Sequence, residues 1–67
     1  MKAVFKVAGM RNTKDIGRIK DAIANNEGIV ACQIIANSGQ IEVIYDDYFI
    51  NEERLIECIE NLGYTVV

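Results

Sequence analysis

The sequence of 67 residues contains no proline, no histidine and no tryptophan, and only two cysteines, Cys32 and Cys58. A chain of this length can build one hydrophobic core, and no proline-rich stretch divides it, so residues 1–67 are expected to form a single domain. Secreted modules of this size that rely on disulfides normally contain about four cysteines or more. The two thiols are therefore expected to be reduced.

Long apolar runs and a basic stripe are also missing. No segment approaches the roughly 18 apolar residues of a membrane span, and the N-terminus has no apolar region typical of a signal peptide. Lysine and arginine total 7 against 10 acidic residues, for a net charge of −3. Binding to nucleic acid needs a basic surface. The composition thus predicts a soluble, cytoplasmic protein that binds neither nucleic acid nor membrane, and whose acidic surface suits a basic protein partner or none.

Hydrophobic periodicity predicts six secondary-structure elements. Period-two alternation indicates strands, whereas apolar residues spaced three and four apart indicate amphipathic helices. The predicted order is a strand over 3–8, a helix running from 16 to the Asn25–Gly28 region, strands over 29–36 and 40–45, a helix after the cap residue Asn51, and a short strand over 64–67. With right-handed crossovers, this α+β order predicts a ferredoxin-like βαββαβ sandwich, in which two helices cover one face of a four-stranded antiparallel sheet.

The loop between the first strand and the first helix reads Gly9-Met10-Arg11-Asn12-Thr13-Lys14-Asp15. Together with Gly63-Tyr64, it makes nearly the whole chain resemble the heavy-metal-associated domain, the module of copper chaperones and of the cytosolic arms of metal-transporting ATPases. In that family the loop reads Gly-Met-x-Cys-x-x-Cys, the methionine turns into the core, and the two thiolates hold a soft ion such as Cu(I). Here the two cysteine positions are Asn12 and Asp15.

Asn12 and Asp15 permit two interpretations. An amide and one carboxylate are hard oxygen donors, too few for a Ca²⁺ or Mg²⁺ site. An asparagine followed three residues later by an acid also resembles a capping box, in which the acid reaches back to the N–H of the cap residue. We favour the capping interpretation, which leaves no intact metal site at these degenerate loop positions and implies no cofactor.

Arg11 suggests an enzymatic alternative, because ferredoxin-like acylphosphatases also have an arginine in the loop after the first strand. That resemblance is weak. The chain is shorter, and no histidine, serine or cysteine lies near the loop in sequence to act as acid, base or nucleophile. A non-enzymatic role is expected.

The two cysteines are expected to be structural. Cys32 shares the parity of Ile34 and should face the helices, and Cys58 lies beside Ile59 in the second helix. In the predicted topology these positions belong to opposite halves of the sandwich, so they should not approach within the roughly 7 Å that a disulfide requires. A metal site built from both would need a different fold.

The uncovered face of the sheet should present Val4, Ile35 and Ile44. These apolar residues could contact a protein partner or a second copy, and the outer strands add unpaired edges; a plain solvated surface is the alternative. The interpretation that follows is a heavy-metal-associated-like domain with a degenerate loop, acting in protein interaction or regulation. The alternatives are a copper or zinc carrier that uses atypical or partner-shared ligands and, more remotely, an acylphosphatase-like enzyme.

Overall fold

The computed structural model describes all residues, 1–67. It contains β1 (Lys2–Ala8), α1 (Thr13–Ala24), β2 (Ile29–Ile35), β3 (Gln40–Tyr45), α2 (Glu52–Glu60) and β4 (Thr65–Val66). The four strands form one antiparallel sheet in the order β2-β3-β1-β4. The predicted ferredoxin-like βαββαβ fold is confirmed, with β2 and β4 as the outer strands.

The core lies between the sheet and the two helices. Alternate residues of β1 and β3 point into it, as their period-two pattern predicts, and the helices add residues at three- and four-residue spacing. The most deeply buried side chains are Ile19, Ile23, Ile41, Val43, Leu55 and Ile59. One core residue comes from outside the regular elements: Ile50, in the loop before α2, is buried although its neighbours in sequence are exposed.

Several element boundaries differ slightly from the sequence prediction. A bulge in β2 between Ile29 and Ala31 leaves Val30 exposed. α2 ends at Glu60, and one further turn precedes Gly63. That turn is closed by bonds from the Leu62 N–H to the Ile59 carbonyl and from the Gly63 N–H to the Glu60 carbonyl.

The topology gives the molecule two distinct ends. The loop end contains the β1–α1 loop, the β2–β3 turn and the start of β4; the far end contains the α1–β2 turn and the β3–α2 loop. The helices have 12 and 9 residues, and neither is long and apolar enough to cross a membrane.

Candidate functional site

The β1–α1 loop and the β2–β3 turn lie next to each other at the loop end. The Val7 N–H donates to the Gly39 carbonyl at 2.8 Å, which fixes the turn against the end of β1. Between them is a hollow of about 290 Å³, lined by Met10, Arg11, Asn12, Thr13, Ile16, Ala36 and Asn37. Met10 is half-buried and packs against the core, as the family resemblance implies.

Asn12 is the N-cap of α1. Its backbone is extended, with φ −150° and ψ 175°, and its Oδ1 accepts a hydrogen bond from the Asp15 N–H at 3.0 Å. This is the geometry of a side-chain cap, which satisfies one of the N–H groups that have no partner within the helix. The predicted capping role of Asn12 is confirmed, and its amide oxygen is occupied by a backbone donor.

The carboxylate of Asp15 joins two separate parts of the chain. Its Oδ2 accepts from the Arg11 N–H at 3.0 Å, and its Oδ1 accepts from the Tyr64 hydroxyl at 2.5 Å. The sequence predicted that this acid would bond the N–H of Asn12 itself. The stronger backbone bond comes instead from Arg11, one residue ahead of the cap, and the Asn12 N–H makes a weaker contribution. The carboxylate lies between the loop and the segment before β4, so the Tyr64 hydroxyl also helps to set its position.

The Asp15–Tyr64 contact shifts the titration of both groups in opposite directions. The hydrogen bond from Tyr64, followed by that from the Arg11 N–H, holds the pKa of Asp15 below its ordinary value. Accepting that bond favours the charged carboxylate. The same bond raises the pKa of Tyr64, because ionising the phenol would remove the donor and place two negative charges together. At neutral pH the pair is a carboxylate and a neutral phenol.

The donor set of this loop contains one soft atom and no thiolate. It offers the Met10 thioether, the engaged Asn12 amide and the engaged Asp15 carboxylate, whereas Cu(I) is best held by thiolates. Nowhere in the chain do three or more histidine, cysteine, aspartate or glutamate side chains come together as a metal cluster.

The cysteines lie outside this loop and are free thiols. Cys32, on β2, is half-buried against the core, and burial raises its pKa and so lowers the fraction of thiolate. Cys58, on α2, accepts a hydrogen bond from the Asn26 side-chain amide at 3.3 Å. That amide also bonds the Ala22 and Ile23 carbonyls at the end of α1. Cys58 therefore contributes to the contact between the two helices.

On the open face of the sheet, Val4, Ile35 and Ile44 are all exposed, as the sequence predicts. In the strand register, no two of these residues are direct cross-strand partners. Val4 pairs with Glu42, whose carboxylate lies 3.1 Å from the Lys2 ammonium, and Ile44 is a diagonal neighbour of Val4. Ile35 pairs with Gln40, and Glu42 lies between Gln40 and Ile44 on the same face of β3. The face is therefore mixed polar and apolar.

Comparison with known proteins gives similarity over the whole chain. No protein-family model matches. A copper-transporting ATPase, HMA5 of Oryza sativa subsp. japonica, is 29% identical over 62 residues, which are 92% of this chain and 6% of the ATPase. The copper chaperone CopZ of Staphylococcus aureus is 28% identical over 64 residues, 96% of this chain and 94% of the chaperone.

Among solved structures, a CopZ metallochaperone superimposes with a TM-score of 0.97 at 27% identity, and the match covers 100% of both chains. The similarity thus includes the order of elements, the position of the β1–α1 loop and the chain length. By fold, loop frame and whole-length similarity, this chain resembles copper chaperones and the heavy-metal-associated domains of copper-transporting ATPases.

Proposed function

We propose that this domain acts by docking on a protein partner, as a non-enzymatic interaction or regulatory module, and that its own loop does not hold Cu(I). The observation that supports this is the state of Asp15, which stands at a cysteine position of the family motif. Its two carboxylate oxygens accept hydrogen bonds from the Arg11 N–H and the Tyr64 hydroxyl. Both oxygens of this carboxylate therefore have donors from within the chain.

A metal ion at this loop would have to share the Asp15 oxygens with those donors or displace them. Removing the hydroxyl and the N–H from the carboxylate would leave both donors without their partners, and the ion would gain only hard oxygen ligands and one thioether in return. The same residues, left as they are, cap α1 and join the loop to the segment before β4. Their placement supports a structural role for the degenerate motif.

A non-enzymatic role fits the chemistry of the loop. Arg11 is the residue that could have bound a phosphate. Its backbone N–H donates to the Asp15 carboxylate, so a phosphate bound there would lie beside a negative charge. The hollow at the loop is lined by no cysteine, histidine or serine. The relative that matches this chain over its whole length is named as a copper chaperone, a name that describes no catalysed reaction.

Metal transfer with ligands shared by a partner is the second candidate. The similarity to proteins named as a copper chaperone and a copper-transporting ATPase favours it. In that case Met10, at the hollow of the loop, would offer one soft ligand, and thiolates of the partner would supply the others. This candidate predicts Cu(I) binding only when the partner is present.

Anaerobic competition for Cu(I) against a strong chelator tests the first proposal. Wild type is expected to bind at least a thousandfold more weakly than a two-thiolate loop, a difference of about 4 kcal/mol. The double variant Asn12→Cys/Asp15→Cys is expected to retain one equivalent, because the backbone frame of the loop remains. Asn12→Ser/Asp15→Ser is the matched control, since serine has nearly the shape of cysteine but no thiol, and circular dichroism checks the fold of each variant.

Two results would contradict the proposal in different ways. One equivalent of Cu(I) retained by wild type alone would make the domain a carrier with unusual ligands. If wild type is mixed with a peptide that has a Cys-x-x-Cys loop, more Cu(I) retained by the mixture than by the peptide alone would favour the shared-ligand candidate. If the folded Cys/Cys variant does not bind, the loop is not equivalent to the family's metal loop.

We further propose that the open sheet face, through Val4, Ile35 and Ile44, or an outer strand edge is where a protein partner or a second copy docks. Burial of these exposed side chains would contribute about 25 cal/mol per Å² before ordering costs, and edge pairing would add main-chain hydrogen bonds. In sedimentation, Ile44→Lys is expected to weaken association, whereas Ser38→Lys, which adds the same charge at the exposed β2–β3 turn, is not. A dimer that survives Ile44→Lys with unprotected strand edges in hydrogen exchange would exclude both surfaces.

A further inference from the structure

The far end of the molecule exposes two aromatic rings next to each other. Tyr48 is 85% exposed and Phe49 52% exposed, and their ring centroids lie 5.0 Å apart in an edge-to-face arrangement. The other three aromatic residues of the chain are buried or hydrogen-bonded: Phe5, Tyr45 and Tyr64. The exposed pair therefore makes little contribution to the core, and its exposure calls for a different explanation.

The backbone holds this aromatic pair rigidly. Asp46 organises the turn, because its Oδ1 accepts from the Tyr48 N–H at 3.0 Å and its carbonyl accepts from the Phe49 N–H at 3.1 Å. The Asp46 N–H in turn donates to the Gly28 carbonyl at 2.7 Å, and the next residue, Ile50, is buried in the core. A surface that is already ordered loses little entropy on binding. We call residues 46–49 the aromatic tip.

The charge around the aromatic tip is negative. Residues 46–54 contain four acids, Asp46, Asp47, Glu52 and Glu53, and one base, Arg54. Arg54 lines a hollow beside Phe49 together with a further acid, Glu27, so the acids outnumber the bases. None of these carboxylates forms a salt bridge, since the one ion pair of the structure joins Lys2 to Glu42. Glu52 and Glu53 have a structural role in the first turn of α2, where they face the positive end of the helix dipole, but Asp47 lies outside the helix.

We infer that the aromatic tip is a docking surface for a basic, extended segment of a partner protein. An arginine or lysine of that segment would lie over the Tyr48 ring, near the carboxylate of Asp47, and aliphatic side chains would cover Phe49. Cations bind favourably over aromatic faces, and the unpaired acids complete the complementarity. The inference rests on the proposed docking role and adds a second docking surface to the open sheet face, at the end of the molecule away from the β1–α1 loop.

Charge selects this occupant over the others. A second copy joined by a twofold axis would bring the same four acids against this tip, and anionic lipid would be repelled in the same way. A neutral apolar segment would cover the rings without using the acids. A basic segment alone uses both features.

The test is a titration of the ¹⁵N-labelled domain with the blocked peptide Ac-Arg-Leu-Arg-Leu-Arg-NH₂, followed by amide shifts in NMR spectra. The largest shifts are expected at residues 46–49, with an affinity that falls as salt rises. Tyr48→Ser should weaken binding about tenfold, the equivalent of one cation–π contact. Tyr48→Phe should bind like wild type because it keeps the ring, and Val67→Ser is the control for loss of an exposed apolar side chain elsewhere.

Since Tyr48 is almost fully exposed, these variants are expected to fold, and their spectra report this directly. Equal affinity of wild type and Tyr48→Ser, shifts centred on the Gly9–Asp15 loop, or equal binding of the same peptide with glutamate in place of arginine would overturn the inference. So would a wild-type dimer that Tyr48→Ser dissociates, because the occupant would then be a second copy. No copper is involved, so a failed peptide titration leaves the result of the Cu(I) competition unaffected.

Discussion

Two glycines with nearly the same backbone conformation offer a test of how tightly the far end is packed. Gly28 has φ +94° and Gly63 has φ +97°, so an alanine at either position adopts a conformation that costs about 1–2 kcal/mol for residues with a Cβ. At Gly63 nothing lies within 4 Å of the added Cβ. At Gly28 the Cβ would lie 2.7 Å from the Phe49 Cβ and 3.2 Å from the Asp46 carbonyl oxygen. Only the Gly28 position is therefore sterically blocked.

Gly28→Ala is therefore expected to destabilise the domain by about 1–3 kcal/mol more than Gly63→Ala, the usual effect of overpacking. The strain from positive φ and the reduced freedom of the unfolded chain are common to both variants, so they cancel in the difference. Urea unfolding followed by circular dichroism measures it, provided that the two variants show the same dependence on denaturant.

Gly17→Ala is the third member of the series. Gly17 lies within α1 with open space around it and without positive φ, so alanine is expected to stabilise the domain by about 0.5–1 kcal/mol. Equal destabilisation by Gly28→Ala and Gly63→Ala would refute the reasoning, because the close approach of Gly28 to Phe49 would then have no energetic consequence.

Three further predictions concern the loop end. Asn12→Ala should lower the free energy of unfolding by about 0.5–2 kcal/mol through loss of the cap, whereas Lys14→Ala, an exposed change in the same turn, should lie near zero; equal effects in thermal melts would argue against capping. Because the pKa of Asp15 is lowered in the folded state, its contribution to stability is present above the unfolded pKa of about 4 and is lost as pH falls through the folded value. Tyr64→Phe should raise the pKa of Asp15 towards its ordinary value, and Asp15→Asn should lower the pKa of Tyr64. ¹³C NMR titration measures both changes. An unchanged Asp15 pKa in Tyr64→Phe would mean that the hydrogen bond is absent in solution.

Local patterns were sufficient to predict most of this fold. The alternation in β1 and β3 predicted which side chains enter the core, and the spacing of apolar residues in α1 and α2 did the same. Asn12 and Asn51 could both be identified as caps from sequence, because a cap depends on residues within one helical turn; each accepts from the N–H three residues on, at 3.0 Å and 2.9 Å. The bulge at Val30 was not predicted, since it depends on pairing with β3.

The least predictable part of the candidate site was the contact of Asp15 with Tyr64. Each residue belongs to a recognisable sequence motif, but the two motifs are separate and the residues lie 49 positions apart. No pattern joins a carboxylate in one loop to a phenol near the C-terminus. The contact exists because antiparallel pairing of β4 with β1 brings the segment before β4 beside the start of α1. Similarly, the exposure of Tyr48 and Phe49 depends on Ile50 being the residue of that loop that enters the core.

The sequence by itself determined the order of the elements, the helix caps, the faces of the strands and the loss of both loop thiolates, because each of these depends on residue type and short-range spacing. The tertiary structure decided where the groups that replace the thiolates find their partners and which apolar side chains remain outside. Asp15 is bound by a residue 49 positions away, and the aromatic tip is displayed by a turn anchored to Gly28. Such contacts arise from the packing of distant segments, which residue type and local spacing do not specify.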